Sequence, residues 1–143
     1  MRTSHLAVVL PLAFAGMANS HADPLRADHP LIGTWKWEVP NAKCSELYRI
    51  RKDGTALITS GEETSETTFT ISDKPSAKGF YKWVDRVTKD NGKKDCSGET
   101  MQVGQELTNY VNIHPSGAAL LLCEREDINT CVGPLTKQKD ADN

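Results

Sequence analysis

The sequence predicts an all-β protein, an antiparallel up-and-down barrel of eight strands that carries two disulfides. Eight short segments rich in β-branched and aromatic residues follow one another, and turn residues separate them every eight to twelve positions. No segment keeps the single apolar stripe of an amphipathic helix. Because every connection is short, neighbouring strands are expected to pair in order, and closing the sheet removes its exposed edges.

The N-terminal segment, residues 1–22, is predicted to be a signal peptide. Arg2 supplies the positive start, and an apolar run at 6–15 is too short to span a bilayer. Ser20-His21-Ala22 fits a small-x-small cleavage site, with a cut after Ser20 as the second choice. Residues 23–143 then form a single β-barrel domain whose core runs from about 31 to 137, after a loose lead-in at 23–30.

Composition restricts the partners of the chain. It has 143 residues, 38% hydrophobic and 25% charged, which suits one globular domain. The net charge of −2 gives no electrostatic reason to bind nucleic acid or an anionic membrane. We expect a monomer without a cofactor or a membrane span, located in the periplasm or secreted.

The first half of the barrel begins with a strand at 31–39, which Pro40 ends because proline cannot donate to a sheet ladder. The next strand, 44–51, alternates between two faces, and Lys52-Asp53-Gly54 turns it into a third strand at 55–59. Residues 60–66 are polar and are predicted to form a loop. β-Branched and aromatic residues then resume in a fourth strand at 67–72.

The second half begins at 79–89, where a helix is the rival prediction to a strand. A strand is favoured because the apolar residues do not keep to one helical stripe. The polar stretch 93–105 is predicted to be a rim loop. Three strands complete the barrel, an alternating one at 106–114, a strongly apolar one at 118–125 and a short one at 132–137; a charged, frayed tail at 138–143 follows them.

Four cysteines, Cys44, Cys96, Cys123 and Cys131, remain after cleavage and are read as two disulfides. Cys123 and Cys131 flank one hairpin, which favours a local bridge and leaves Cys44 to pair with Cys96. The alternative joins Cys44 to Cys131 and Cys96 to Cys123. No Cys-x-x-Cys motif points to a metal or to redox catalysis.

No catalytic or metal site is expected from the sequence. There is no Gly-x-Ser-x-Gly, no glycine-rich phosphate loop and no metalloprotease motif. His29 and His114 are expected to be solvent-facing loop residues. Glu62, Glu63 and Glu66 are interpreted as a solvated acidic loop rather than a cation site, because their spacing does not fit a calcium loop.

The aromatic residues fall on several strands, and half of them would point into a barrel. The candidates for an apolar ligand pocket are Tyr48, Tyr81, Trp83 and Tyr110. The alternative is that such side chains fill the lumen as core, and the sequence leaves open whether the lumen is filled or open.

Gly33-Thr34-Trp35 on the first strand of an exported, eight-stranded chain resembles the lipocalin and wider calycin superfamily. The resemblance implies an up-and-down barrel that holds a small apolar ligand in its cup. It also implies structural roles for Gly33 and Trp35, with the tryptophan packed across the closed end under a basic side chain. Arg125 and Lys137 are the candidates for that basic side chain.

Two functions are therefore expected. The first is an exported lipocalin-like binding protein with a small apolar ligand in its barrel. The alternative is a periplasmic inhibitor or immunity protein that blocks a hydrolase or a toxin. The rim loops around Glu62–Glu66 and Lys93–Glu99 would then be its working surface.

Overall fold

A computed structural model describes residues 25–139, and the predicted signal peptide lies outside these residues. Eight antiparallel strands form one closed barrel in which each strand pairs with its neighbours in sequence and β1 pairs with β8. The predicted up-and-down barrel is therefore confirmed. The strands are β1 (Gly33–Glu38), β2 (Ser45–Ile50), β3 (Thr55–Ser60), β4 (Glu63–Ile71), β5 (Tyr81–Asp90), β6 (Glu106–Ile113), β7 (Ala119–Cys123) and β8 (Cys131–Lys137).

The structure differs from two expectations about β4 and β5. The rival helix at 79–89 is wrong, since this stretch forms most of β5. The predicted polar loop at 60–66 is also wrong, because β4 already begins at Glu63. The side chains of Glu63, Ser65 and Thr67 alternate inward, so this polar stretch keeps the period of a strand without its usual residue types.

The barrel has two different ends, which we call the plug end and the mouth. The plug end is where β1 begins, and the mouth is where β1 ends. The connections at the mouth are residues 39–44, 61–62, 91–105 and 124–130, the last containing a short 3₁₀ turn, Ile128–Thr130.

Trp35 fills the barrel at the plug end with none of its surface exposed. Its indole N–H donates to the backbone oxygen of Leu31 at 2.7 Å, so burial leaves its polar atom satisfied. Lys137 places its Nζ 5.2 Å from the centre of the ring. Arg125, the other basic candidate, lies in the mouth connection between β7 and β8.

The segment before β1 is part of the plug, so the predicted loose lead-in is wrong for its described residues. Leu25 packs against the core, and His29 is only 3% exposed rather than solvent-facing. The Nε2 atom of His29 lies 3.1 Å from the oxygen of Ser72, and its Nδ1 accepts the N–H of Leu31. Burial lowers the pKa of His29, which keeps the ring neutral in these two contacts.

Gly33 allows β1 to enter the barrel beside this plug. Its φ is +132°, a backbone conformation that other residues rarely adopt. A Cβ atom here would also lie 2.9 Å from Cε of Lys137. The glycine thus makes room for the lysine that covers Trp35.

The apolar core occupies the plug half of the barrel. Side chains from all eight strands and the lead-in pack together in it, and most are under 5% exposed: Leu31, Trp35, Ile50, Ala56, Phe69, Trp83, Val111, Leu120 and Leu135. This half is packed as a protein interior.

Both disulfides join the pairs favoured by the sequence, and the alternative pairing is wrong. Cys123 and Cys131 face each other across β7 and β8. Cys44, just before β2, is bonded to Cys96 in the connection between β5 and β6, 52 residues away. This second bond crosses the mouth from one connection to another.

Candidate functional site

The interior changes from apolar to polar about halfway along the barrel. On β4 the inward side chains run from Phe69 through Thr67 and Ser65 to Glu63 at the mouth. Thr67 and Ser65 are each 1% exposed and Glu63 is 4% exposed. The polar half is therefore buried as completely as the apolar half.

Four carboxyl groups face the polar half of the barrel, and we call them the acidic layer: Glu46, Glu63, Asp85 and Asp90. They come from β2, β4 and β5 and share the inner face with buried cross-strand neighbours such as Ser60 and Ser65. Among residues 25–139 no lysine or arginine is buried, and none forms an ion pair with this layer. The layer therefore lacks a compensating positive charge from the described part of the chain.

Glu46 is the carboxyl group of the layer with the most complete set of partners. It accepts hydrogen bonds from the hydroxyl of Tyr48 and, at 2.7 Å, from Oγ of Ser60. Burial and the charge of Glu46 raise the pKa of Tyr48 well above its usual value, so Tyr48 stays a donor. These bonds hold Glu46 in place.

Glu63 and Asp90 lie side by side at the mouth ends of β4 and β5. Glu63 Oε1 and Asp90 Oδ2 are both buried without a hydrogen-bond donor. Burial and the neighbouring charge of Asp90 raise the pKa of Glu63 to about 7. Near neutral pH the carboxyl group of Glu63 is therefore about half protonated.

Asp85 lies deeper, on β5, and is 2% exposed. Its Oδ1 accepts the hydroxyl of Thr67 at 2.9 Å, and the indole of Trp83 lies alongside. Burial raises its pKa to about 7, because the hydrogen bond from Thr67 does not offset the loss of water.

A long connection covers the acidic layer, and we call residues 91–105 the lid. Its ends are fixed to the barrel: the N–H of Asn91 donates to the oxygen of Thr64, and the N–H of Gly104 donates to that of Val87. Its middle reaches inward-facing groups, since the N–H of Cys96 donates to Oγ of Ser60 at 3.0 Å. The backbone of Met101 lies near the carboxyl group of Glu63 and favours its charged form.

Two features fix the path of the lid. The Cys44–Cys96 disulfide ties it to the far side of the mouth. It also passes close to the β3–β4 turn, since a Cβ on Gly61 would lie 3.5 Å from backbone atoms of Asp95 and Cys96. Within the lid, Oδ1 of Asp95 accepts the backbone N–H groups of Ser97 and Glu99. Burial acts to raise the pKa of Asp95, but these hydrogen bonds outweigh it and lower the pKa.

The four aromatic candidates do not form one pocket. Trp83 is 2% exposed and packs edge-to-face with Tyr48 at 6.4 Å between ring centres, directly below the acidic layer. Tyr81 packs against His29 at the plug end. Tyr110 alternates with the inward residue Val111 and lies on the outer face, opposite Lys82 in β5. Only Tyr48 and Trp83 are brought together.

A groove of about 610 Å³ lies outside the barrel, over the outer face of β4 and β5 near the plug end. Thr68, Thr70, Val84 and Arg86 line it, and none of the four aromatic candidates does. Asp85 of the acidic layer also lines the groove, whereas Glu46, Glu63 and Asp90 do not.

The predicted acidic loop is divided by the strand. Glu62 is exposed in the β3–β4 turn, Glu63 points into the barrel, and Glu66 lies on the outside and pairs with Lys89 at 3.1 Å. His114 is exposed, as predicted. Within residues 25–139 no three His, Cys, Asp or Glu side chains are grouped closely enough to hold a metal ion.

Sequence reasoning missed three of the four groups in the acidic layer, Glu46, Asp85 and Asp90. The available signal was the strand period. Asp85 sits between Trp83 and Val87 at alternate positions, which places it on the buried face once 79–89 is taken as a strand. The same period places Glu46 with Tyr48 and Ile50 on β2.

No protein-family model matches this chain, and neither a curated protein nor a solved structure is significantly similar to it. Among the described residues, no helix has the length and apolar character needed to cross a bilayer.

Proposed function

We propose that this chain is an exported, lipocalin-like binding protein that holds a small molecule in the mouth half of its barrel, beneath the lid. The observation that carries the proposal is the pair of buried oxygens, Glu63 Oε1 and Asp90 Oδ2, which have no donor in the described chain. A buried acceptor without a partner costs about 1–3 kcal/mol, so an occupant that supplies donors would be stabilised here.

The division of the barrel supports the same function. The packed core around Trp35 gives the mouth half a rigid floor, and Tyr48 and Trp83 form an aromatic wall above it. The lid supplies the cover, and as a connection between strands it lies outside the sheet itself. An apolar ligand, as the sequence predicts, is one of the alternatives that the probes distinguish.

The proposed compartment is the periplasm or the exterior of the cell, after removal of a signal peptide. All four cysteines are bonded, and such disulfides persist in oxidising compartments. The function proposed here is binding, without a catalytic step.

The test uses three four-carbon probes that differ in charge, butyrate, 1-butanol and butylammonium, together with an apolar dye. Each is titrated into the ¹⁵N-labelled chain while the three tryptophan indole signals are followed by NMR. We expect at least one probe to shift the signal of Trp83, beside the acidic layer, and to leave Trp35 in the plug unchanged. If no probe moves Trp83 at millimolar concentration, the proposal is wrong.

The lid provides a matched pair of variants. Replacing Cys44 and Cys96 by serine frees the lid, whereas replacing Cys123 and Cys131 removes a disulfide that does not touch it. We expect faster association and dissociation of the probe in the first variant alone. Equal acceleration in both would indicate a general loosening of the barrel instead of entry beneath the lid.

A second candidate, the inhibitor or immunity protein, is favoured by one surface observation. Among the described residues, the large apolar side chains that stand exposed are all at the mouth: Val103 in the lid and Ile128 in the β7–β8 connection, each 65% exposed, and Val132 at 43%. Exposed apolar groups at one end of a barrel suit contact with a protein partner.

This candidate predicts that the chain inhibits a purified cell-wall hydrolase and that Val103→Ser with Ile128→Ser abolishes the inhibition. Ala118→Ser, an exposed position at the plug end, is the control and should inhibit normally. Inhibition that survives the double substitution would exclude these side chains as the contact.

A further inference from the structure

The acidic layer has a geometry that selects the charge of its occupant. Asp90 has one oxygen fixed by the backbone of the lid, because its Oδ1 accepts the N–H of Gly92 at 2.7 Å. The backbone of Met101, also in the lid, lies near the carboxyl group of Glu63. One oxygen of each acid, Glu63 Oε1 and Asp90 Oδ2, is buried and without a donor. Two acceptors are thus held ready at the same place.

The surroundings supply no positive charge. The charged and titratable groups that face Glu63 are Asp90 on β5 and Asp95 in the lid, and both are acids. Glu46 and Asp85 add two further carboxyl groups to the same interior, and Tyr48 remains neutral. Low-dielectric surroundings make such uncompensated charge costly, so the layer requires protons or a cation.

We propose that the acidic layer binds a small organic cation of the alkylammonium or guanidinium class, donating to Glu63 Oε1 and Asp90 Oδ2. This inference rests on the proposed function, since it names the class of ligand held beneath the lid. A cationic nitrogen with several N–H donors satisfies both oxygens at once and supplies the missing charge.

The side chains around the acidic layer favour an organic cation over a metal ion. Among the described residues two buried oxygens lack a donor, and no three side chains are grouped closely enough to coordinate a metal. In the register Ser60 lies opposite Glu63 and Ser65 lies opposite Asp90, and the edge-to-face pair of Tyr48 and Trp83 forms the aromatic side. Aromatic faces attract alkylammonium and guanidinium groups, whereas a small metal ion needs more oxygen ligands than are free here.

Protons compete with this ligand for the same oxygens. Because the pKa of Glu63 is raised to about 7 by burial and by Asp90, half of the sites hold a proton at neutral pH. A cation that displaces one proton binds about ten times more tightly at pH 8 than at pH 6. A neutral ligand would show no such rise.

The experiment compares butylammonium and guanidinium with 1-butanol and butyrate by calorimetry on the full chain, with the indole signals as a local readout. We expect the cations to bind, to shift the Trp83 signal, and to bind about ten times more tightly at pH 8 than at pH 6. Glu63→Gln and Asp90→Asn should each weaken cation binding at least tenfold. Their folding is checked independently by thermal unfolding and by the indole signal of Trp35.

Glu66→Gln is the matched control, because Glu66 lies on the same strand but faces outward and pairs with Lys89. It should bind cations within twofold of the unsubstituted chain. Equal weakening by this control would mean general surface attraction and would overturn the inference.

The remaining outcomes separate the two proposals. If 1-butanol, butyrate or the dye shifts Trp83 and the cations do not, the small-molecule site stands and the cation inference is wrong. If no probe acts at pH 8, the acidic layer holds protons only, and both proposals fail.

Discussion

At the scale of single residues, the two halves of the barrel depend on different chemistry. Trp35 has its one polar atom bonded to Leu31 and is otherwise in apolar surroundings, so it contributes through burial. Asp85 is as deeply buried but carries an ionisable group with few partners. The first residue stabilises the fold at any pH, whereas the contribution of the second changes with protonation.

Trp35→Ala should lower the free energy of unfolding by about 3–5 kcal/mol, because it leaves a large cavity in a packed core. Urea unfolding monitored by circular dichroism measures the change. Trp37→Ala is the control on the same strand, since Trp37 is only partly buried and should cost less. A stable Trp35→Ala chain would show that the plug does not hold the barrel closed.

Asp85→Asn should remove part of the pH dependence of stability. A carboxyl group whose pKa is raised by burial binds its proton more tightly when folded. Asp85 therefore stabilises the fold at low pH, and this contribution falls as pH rises from about 4 to about 7. Over this pH range the loss of unfolding free energy attributable to Asp85 is on the order of 4 kcal/mol.

The measurement is the free energy of unfolding at pH 5 and pH 8 for both chains. The unsubstituted chain should lose more stability over this interval than Asp85→Asn does. His29 acts in the opposite sense, since its lowered pKa costs stability as pH falls through its usual value of 6.5, and it does so equally in both chains. Identical pH profiles would exclude a buried, proton-binding Asp85.

At the scale of elements, the lid differs from the other connections because it is long and yet bonded at both ends and in the middle. The Cys44–Cys96 disulfide closes a loop of 52 residues, while Cys123–Cys131 closes one of 8. In the chain-entropy view the longer loop contributes more, about 4 kcal/mol against about 2.5.

Replacing Cys44 and Cys96 by serine should therefore destabilise the chain more than replacing Cys123 and Cys131, and it should also act locally. Lys93 and Lys94 are exposed in the lid, so trypsin should cut there faster in the first variant. Mass spectrometry of the early fragments identifies the cut. Unchanged cleavage at these lysines would mean that the disulfide does not hold the lid.

The elements also show where sequence reasoning succeeded and where it did not. Turn chemistry and alternation predicted the order of all eight strands and the favoured disulfide pairing. The N-terminal part of β4 was missed because Glu63, Ser65 and Thr67 are polar, and a polar side chain on an inner face looks the same in sequence as one in a loop. The acidic layer was missed for a different reason: Glu46 and Asp85 lie on predicted strands, but carboxyl groups from separate strands come together only when the barrel closes.

At the scale of the whole molecule, closure depends on the ends of the chain. β1 pairs with β8, with Trp35 opposite Lys137 and Lys36 opposite Thr136. The N–H of Gln138 also donates to the oxygen of Thr34 at 2.8 Å, which continues the pairing into the predicted frayed tail. The last strand thus covers two edges that would otherwise be exposed.

A chain truncated after Gly133 should lose this closure and expose the edges of β1 and β7. Open edges pair with other chains, so we expect larger species in size-exclusion chromatography with light scattering. A chain truncated after Lys139 keeps β8 and is the control. If both truncated chains elute as the full chain does, β8 is dispensable for closure.

The plug has a consequence for redesign. Trp35 and its neighbours close one end of the barrel without using any side chain of the acidic layer. The floor can therefore be kept constant while Glu46, Glu63, Asp85 and Asp90 are exchanged for other residues, for example bases or amides. Variants that bind ligands of opposite charge can then be selected from one library of this barrel, because the plug is the same in all of them.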